Sequence, residues 1–147
     1  MSTAREFNIY ASSVETMKKQ IRVIFQDVEG EISVELDDSH SPKTVQKIIE
    51  NLPIEASIRR WGEELYTEET QIAEEAENAK ITVNLFDLAY WPEGKALCLF
   101  FGPTPISKAG EIQAYSPVNI VGKIIVHNNE ELKIFSKVRD GAKVVFK

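Results

Sequence analysis

Apolar and polar positions along the chain alternate first with period two. Ile21, Val23 and Phe25 alternate with Arg22, Ile24 and Gln26, which predicts a strand. Asp27-Val28-Glu29-Gly30 reads as a turn, and Ile32, Val34 and Leu36 then alternate with Ser33 and Glu35 as the second arm of a hairpin. The period next changes to that of a helix. Ser41-Pro42 is a start signal, with Ser41 as cap and Pro42 at the first helical position. Val45, Ile48, Ile49 and Leu52 follow on one face, and Pro53 ends the run. Residues 56–67 read as strand material broken at Trp61-Gly62, and residues 68–78 as an acidic solvated loop or a short exposed helix.

Ile81, Val83 and Leu85 predict another strand, residues 86–94 a loop, and residues 96–101 a buried strand. A long connection, residues 102–117, carries Pro103, Pro105, Gly110 and Pro117, and loops of that length are often functional. Residues 118–126 read as a strand with Gly122 marking a bulge or a close backbone approach. Asn129 caps a short helix with Leu132, Phe135 and Val138 on its face; Asp140-Gly141 stops it, and residues 144–146 form a last strand. Residues 1–19 carry little periodic signal. They read as an extension, frayed or disordered, in which Val14 and Met17 fit a helical turn capped by Ser12 or Ser13. The domain proper is residues 20–147. Many short strands and few helices predict a mainly β fold, a barrel capped by two helices that leaves few sheet edges exposed.

Composition narrows the function. At 147 residues the chain makes one domain with a real core. A net charge of −6 argues against a nucleic-acid partner held on a basic face. No segment has the run of about 18 apolar residues that a membrane helix needs, and the N-terminus lacks a signal-peptide core, so no membrane partner and a cytoplasmic location are expected. The one cysteine, Cys98, excludes an intrachain disulfide and reads as a buried structural thiol. His40 and His127 are isolated, so no metal site is expected. Neither a Gly-rich phosphate loop nor a nucleophile elbow is present, and no cofactor is expected.

The candidate chemistry is aromatic. Trp61, Tyr66, Phe86, Tyr90 and Trp91 form a candidate binding surface, and Pro92 and Gly94 place Tyr90 and Trp91 on a loop. Core packing is the competing role for such rings. Glu63 and Glu64 follow Trp61-Gly62; on a strand they point to opposite faces, so one carboxylate can join the rings. Beside aromatics it has a raised pKa and can do acid–base work; solvated, it does neither.

Several segments resemble cyclophilins. Gly30-Glu31-Ile32-Ser33-Val34-Glu35-Leu36 with Ser41-Pro42-Lys43-Thr44-Val45 is similar to their second strand and first helix. Leu99-Phe100-Phe101 is similar to their pocket strand, and Val118-Asn119-Ile120-Val121-Gly122-Lys123-Ile124 to their final segment. Trp61-Gly62-Glu63-Glu64-Leu65-Tyr66 and Tyr90-Trp91-Pro92-Glu93-Gly94-Lys95 resemble motifs of a smaller, cyclophilin-like family of prokaryotes whose biochemical role is unsettled. The resemblance implies a cyclophilin-like β-barrel over residues 20–147 and a pocket that keeps Phe101. The cyclophilin glutamine is Leu99 here, and the pocket tryptophan and histidine fall near Gln113 and Val118. Arg59 and Arg60 are the candidates for the cyclophilin arginine. The first expectation is therefore a binding domain for a small ligand or a proline-containing peptide, using Trp61, Glu64, Tyr66, Phe86, Tyr90, Trp91 and Phe101. The alternative is a peptidyl-prolyl isomerase with a rebuilt site. Such an enzyme lowers the barrier of about 18–20 kcal/mol by holding the twisted amide against a donor, here Arg59 or Arg60.

Overall fold

The computed structural model describes residues 16–147. Its strands are β1 (Lys18–Phe25), β2 (Glu31–Asp37), β3 (Ile54–Trp61), β4 (Glu64–Thr67), β5 (Lys80–Val83), β6 (Asp87–Trp91), β7 (Ala96–Phe100), β8 (Ile112–Ile125) and β9 (Lys143–Phe146), with helices α1 (Pro42–Glu50) and α2 (Asn129–Lys137). Neighbouring strands follow the order β2-β1-β9-β3-β4-β7-β6-β8, and a β2–β8 pairing closes the ring. The result is an eight-stranded antiparallel barrel with two helices, as expected. β5 stands outside the ring and, among the described residues, pairs only with β8.

The alternation read from the sequence fixes which side chains fill the barrel. Ile21 lies opposite Val34 and Val23 opposite Ile32, and all four are buried. With Phe25, Leu65, Leu88, Leu97, Leu99 and Phe146 they form the main apolar cluster. Each such side chain contributes roughly 1.5–3 kcal/mol on burial. The helices turn Val45 and Ile48, and Ile134 and Phe135, onto the same cluster. At Gly122 the backbone of β2 comes so close that a Cβ would lie 2.3 Å from the Glu35 carbonyl oxygen. The register between β6 and β8 shifts at the same place, opposite Leu88 and Ala89.

Several expectations are corrected. Residues 86–94 are not a loop: Asp87–Trp91 is β6, with Leu88, Ala89 and Tyr90 wholly buried. The strand is covered on both faces, so it shows no alternation, and the Pro/Gly turn signal belongs only to its end. The long connection is shorter than expected because β8 starts at Ile112 and carries Pro117 within it. In β5 the alternating Ile81, and beyond it Leu85, are exposed. β1 begins at Lys18, ahead of Ile21.

The caps also differ. Ser41 stands at the cap of α1 but makes no side-chain cap bond. Glu77 caps the helix instead, its carboxylate accepting from the backbone N–H of Lys43 (3.0 Å) and Thr44 (2.9 Å) and from the Thr44 hydroxyl (2.7 Å). The residue capping α2 is Asn128, one position before Asn129, and it accepts from the Glu131 N–H. The helical turn expected at residues 12–17 falls mainly outside the described residues. Met17 itself donates its N–H to the Asp38 carboxylate at 2.7 Å.

Candidate functional site

Side chains alternate across a strand, and residues opposite one another share a face. Trp61 lies opposite Glu64 across the β3–β4 hairpin, Glu64 opposite Phe100, and Tyr66 opposite Cys98. Cys98 also lies opposite Ala89, and Trp91 opposite Ala96. Leu65, Leu88, Leu97 and Leu99 fill the barrel, so the intervening residues Trp61, Glu64, Tyr66, Ala89, Trp91, Cys98 and Phe100 stand on its outer wall. β5 and the first half of β8 pack over that wall and close a second apolar cluster, which includes Val83, Ala89, Cys98, Phe100, Ala114 and Val118.

Packing leaves a cavity of about 320 Å³ there, lined by Trp61, Glu64, Tyr66, Trp91, Cys98 and Val118, with Ala114, Tyr115 and Ser116 along one side. Tyr115 stands edge-on to both tryptophans, 5.9 Å from Trp61 and 5.8 Å from Trp91 between ring centroids. It is 68% exposed and so marks the mouth. The Trp91 indole N–H donates to the Ser116 hydroxyl at 2.6 Å, which fixes that ring. Gly94 makes the ring's position possible, because a Cβ there would sit 2.3 Å from it. Gly62, at φ +62°, turns the β3–β4 hairpin. The Glu63 N–H, donating to the Pro103 carbonyl at 2.9 Å, ties that hairpin to the following connection.

Glu64 supplies the carboxyl group of this cavity. It is 5% exposed, and burial pushes its carboxyl up to about 7 against the opposing hydrogen bond from the Cys98 thiol. Burial, then the Glu64 charge, holds Cys98 well above the ordinary thiol range, so the sulfur stays protonated. Burial also raises Tyr66, and Glu64 adds to it. Among the described residues no Lys, Arg or His lies within ion-pair distance of Glu64.

The structure brings Trp61, Glu64, Tyr66 and Trp91 together at one cavity. It does not bring Phe86, Tyr90 or Phe101 there. Tyr90 lies in the barrel with its hydroxyl donating to the Ile72 carbonyl at 2.7 Å. Phe86, at φ +69°, packs on the main cluster. Phe101 stacks on Phe135 of α2 at 4.9 Å. Both arginines are engaged elsewhere. Arg59 pairs with Glu68 (2.7 Å) and Asp140 (3.0 Å). Arg60 lies over the Phe101 ring and donates to the Phe135 and Val138 carbonyls at the end of α2. Sequence reasoning missed Ala114, Tyr115, Ser116 and Val118, because they lie at the start of β8 around Pro117, where a proline and a serine conceal the strand. Among the described residues no cluster of three potential metal ligands occurs, and no helix is long and apolar enough to cross a membrane.

Comparison with known proteins places this geometry in a family. The family model described as "Cyclophilin-like" matches residues 19–147. The solution structure of a hypothetical protein from Archaeoglobus fulgidus is 41% identical, with a TM-score of 0.70 over 90% of this chain and 96% of that one. McbB, solved in complex with tryptophan, is 14% identical, with a TM-score of 0.68 over 86% of this chain and 44% of its own; that likeness is one of fold. The curated proteins compared with the sequence give no match. With a matched region that takes in every strand but the first residue of β1, and with a closed barrel and two helices in the structure, the chain belongs to the cyclophilin-like family.

Proposed function

We propose that this protein is a binding domain whose ligand is a small molecule held on the outer wall of the barrel. The observation that carries the reading is the convergence of Trp61, Trp91 and Tyr115, from three separate strands, around a cavity that also exposes one buried carboxyl group. Binding sites for small molecules combine an apolar, aromatic lining with a few placed polar groups, and this lining has that composition. A volume of about 320 Å³ is near the lower end of the usual range of roughly 300–1,000 Å³. It suits a compact ligand better than an extended peptide. The isomerase alternative needs a cationic donor over the amide nitrogen, and Arg59 and Arg60 are committed to Asp140, Glu68 and the end of α2.

The test is amide-shift NMR with small aromatic probes: benzyl alcohol, benzyltrimethylammonium and phenylacetate, each to millimolar concentration. At least one should move the Trp61 and Trp91 indole signals together with the amides of Ala114 and Val118. Ala114→Phe, which fills the cavity from β8, should suppress those shifts. Probes that leave these signals unmoved, or that move signals scattered over the surface, would refute the reading.

A further inference from the structure

Glu64 narrows the ligand class. Among the described residues this deep carboxyl group has the Cys98 thiol as its hydrogen-bond partner and no cation. Among the described residues, the side chains that face it from the surrounding strands carry no charge. β4 offers Tyr66, β7 offers Cys98 and Phe100, β3 offers Trp61, and β8 offers Tyr115. Arg59 shares the wall but is held by Glu68 and Asp140. Around the same space stand two indole rings and a phenol, with Tyr115 at 77° and 78° to the two tryptophans. Aromatic rings that line a cavity offer it electron-rich faces, and these attract a cation. An anionic ligand would meet Glu64 as a like charge, and a neutral apolar one would leave its charge without a counter-charge.

We propose that the cavity takes an organic cation, an amine or quaternary ammonium group on a small apolar body, with Glu64 as its counter-charge and Trp61, Trp91 and Tyr115 as its cage. This rests on the binding reading above and deepens it. The chain's net charge of −6 adds long-range attraction for such a ligand. Binding and ionisation are linked: below the carboxyl's pKa of about 7 the counter-charge is absent, and above it the cation replaces lost solvation.

Intrinsic fluorescence reads the site directly, because the chain has two tryptophans and both line the cavity. Benzyltrimethylammonium, benzyl alcohol and phenylacetate are titrated into wild type and Glu64→Gln at about pH 6 and about pH 8.5. In wild type at the higher pH the cation should bind roughly tenfold tighter than the alcohol, and phenylacetate weakest. At the lower pH the cation's advantage should shrink about tenfold, since most of the carboxyl is then protonated. Glu64→Gln should bind the cation and the alcohol alike at both pH values while still binding the alcohol. Equal binding of cation and alcohol in wild type, or unaltered cation binding in Glu64→Gln, would overturn the cation inference and leave the cavity standing as a neutral-ligand site. No response to any probe would overturn both.

Discussion

Replacing Glu64 with Gln should make the protein more stable, and increasingly so as the pH rises. Glu64 is buried against Cys98, and its carboxyl is raised from 4.5 to about 7. A group whose folded-state pKa lies above its unfolded value contributes stability that is complete below the unfolded pKa and is lost as pH climbs through the folded one. At about 1.4 kcal/mol per pH unit, this rise corresponds to a loss of about 3 kcal/mol across the whole window. Some 2.5 kcal/mol of it, roughly, falls between about pH 5 and about pH 8.5. Glutamine keeps the shape and a hydrogen-bonding group but never ionises, so the variant lacks this slope. Urea unfolding of both proteins across that range isolates the effect, because the other titrating groups are shared, and burial keeps Cys98 and Tyr66, which feel the Glu64 charge, protonated in the folded state. With an m-value of about 2 kcal/mol/M, the gap between midpoints should widen by roughly 1 M in favour of the variant. A gap that stays constant to within about 0.5 kcal/mol would show that Glu64 ionises as a solvated carboxylate, and the account of its burial would fail.

Other perturbations test the parts that hold the site. Glu77→Ala removes the cap of α1 and leaves the buried Thr44 hydroxyl short of a partner; it should cost about 1–2 kcal/mol in denaturant unfolding. Burial pushes Glu77 up, but the bonds from Lys43 and Thr44 outweigh it and hold the carboxyl below its ordinary range. Its contribution should therefore be present above the unfolded pKa and fade on acidification through the lower folded one, in wild type and not in the variant. Gly94→Ala should push Trp91 off Ser116, shifting its fluorescence and weakening probe binding severalfold while the barrel's far-ultraviolet spectrum is unchanged. Arg60→Ala should destabilise by about 1–3 kcal/mol, through the unpaired carbonyls of α2, and leave probe affinity unaltered; a large affinity loss would contradict its placement. Exchange NMR on an Ala-Pro peptide should show no acceleration by the wild-type protein, and acceleration abolished by Arg59→Ala or Arg60→Ala would restore the isomerase alternative.

Most of the barrel is legible because its inner wall obeys a period of two against a single core. Ile21, Val23, Ile32, Val34 and Leu36 alternate with residues that face outward, and so do the apolar positions of both helices at their own period. Alternation disappears where a strand has no wet face. β7 still reads as a buried strand from its unbroken apolar run, but in β6, likewise covered on both sides, Leu88-Ala89-Tyr90 has no polar residue to reveal its pitch, and the Pro/Gly turn at its end masks it. The cap of α1 was illegible for another reason. Glu77 is 33 residues from Thr44 in the chain, and only the closed fold delivers its carboxylate to an N-terminus at which the local sequence offers Ser41 as the cap.

The same geometry explains why the aromatic residues singled out in the sequence lie on or next to strands that reach the cavity but do not all face it. Tyr90 and Trp91 are adjacent in sequence, and the pleat sends them to opposite sides of the barrel wall. One becomes core, with its hydroxyl bonded to Ile72; the other becomes cavity. Phe101, one residue beyond β7, turns to α2 for the same reason that Phe100 faces the outer cluster. Glu64 could be separated from Glu63 only once the turn was located: Gly62 and Glu63 make the bend, so Glu64 is the first residue of β4 and inherits the outer face from Trp61 across the hairpin. A site built on the outside of a barrel therefore draws on the residues that alternate away from the core. The strand pattern that identifies the core identifies these by exclusion, and register across β3, β4, β7 and β6 decides which of them meet.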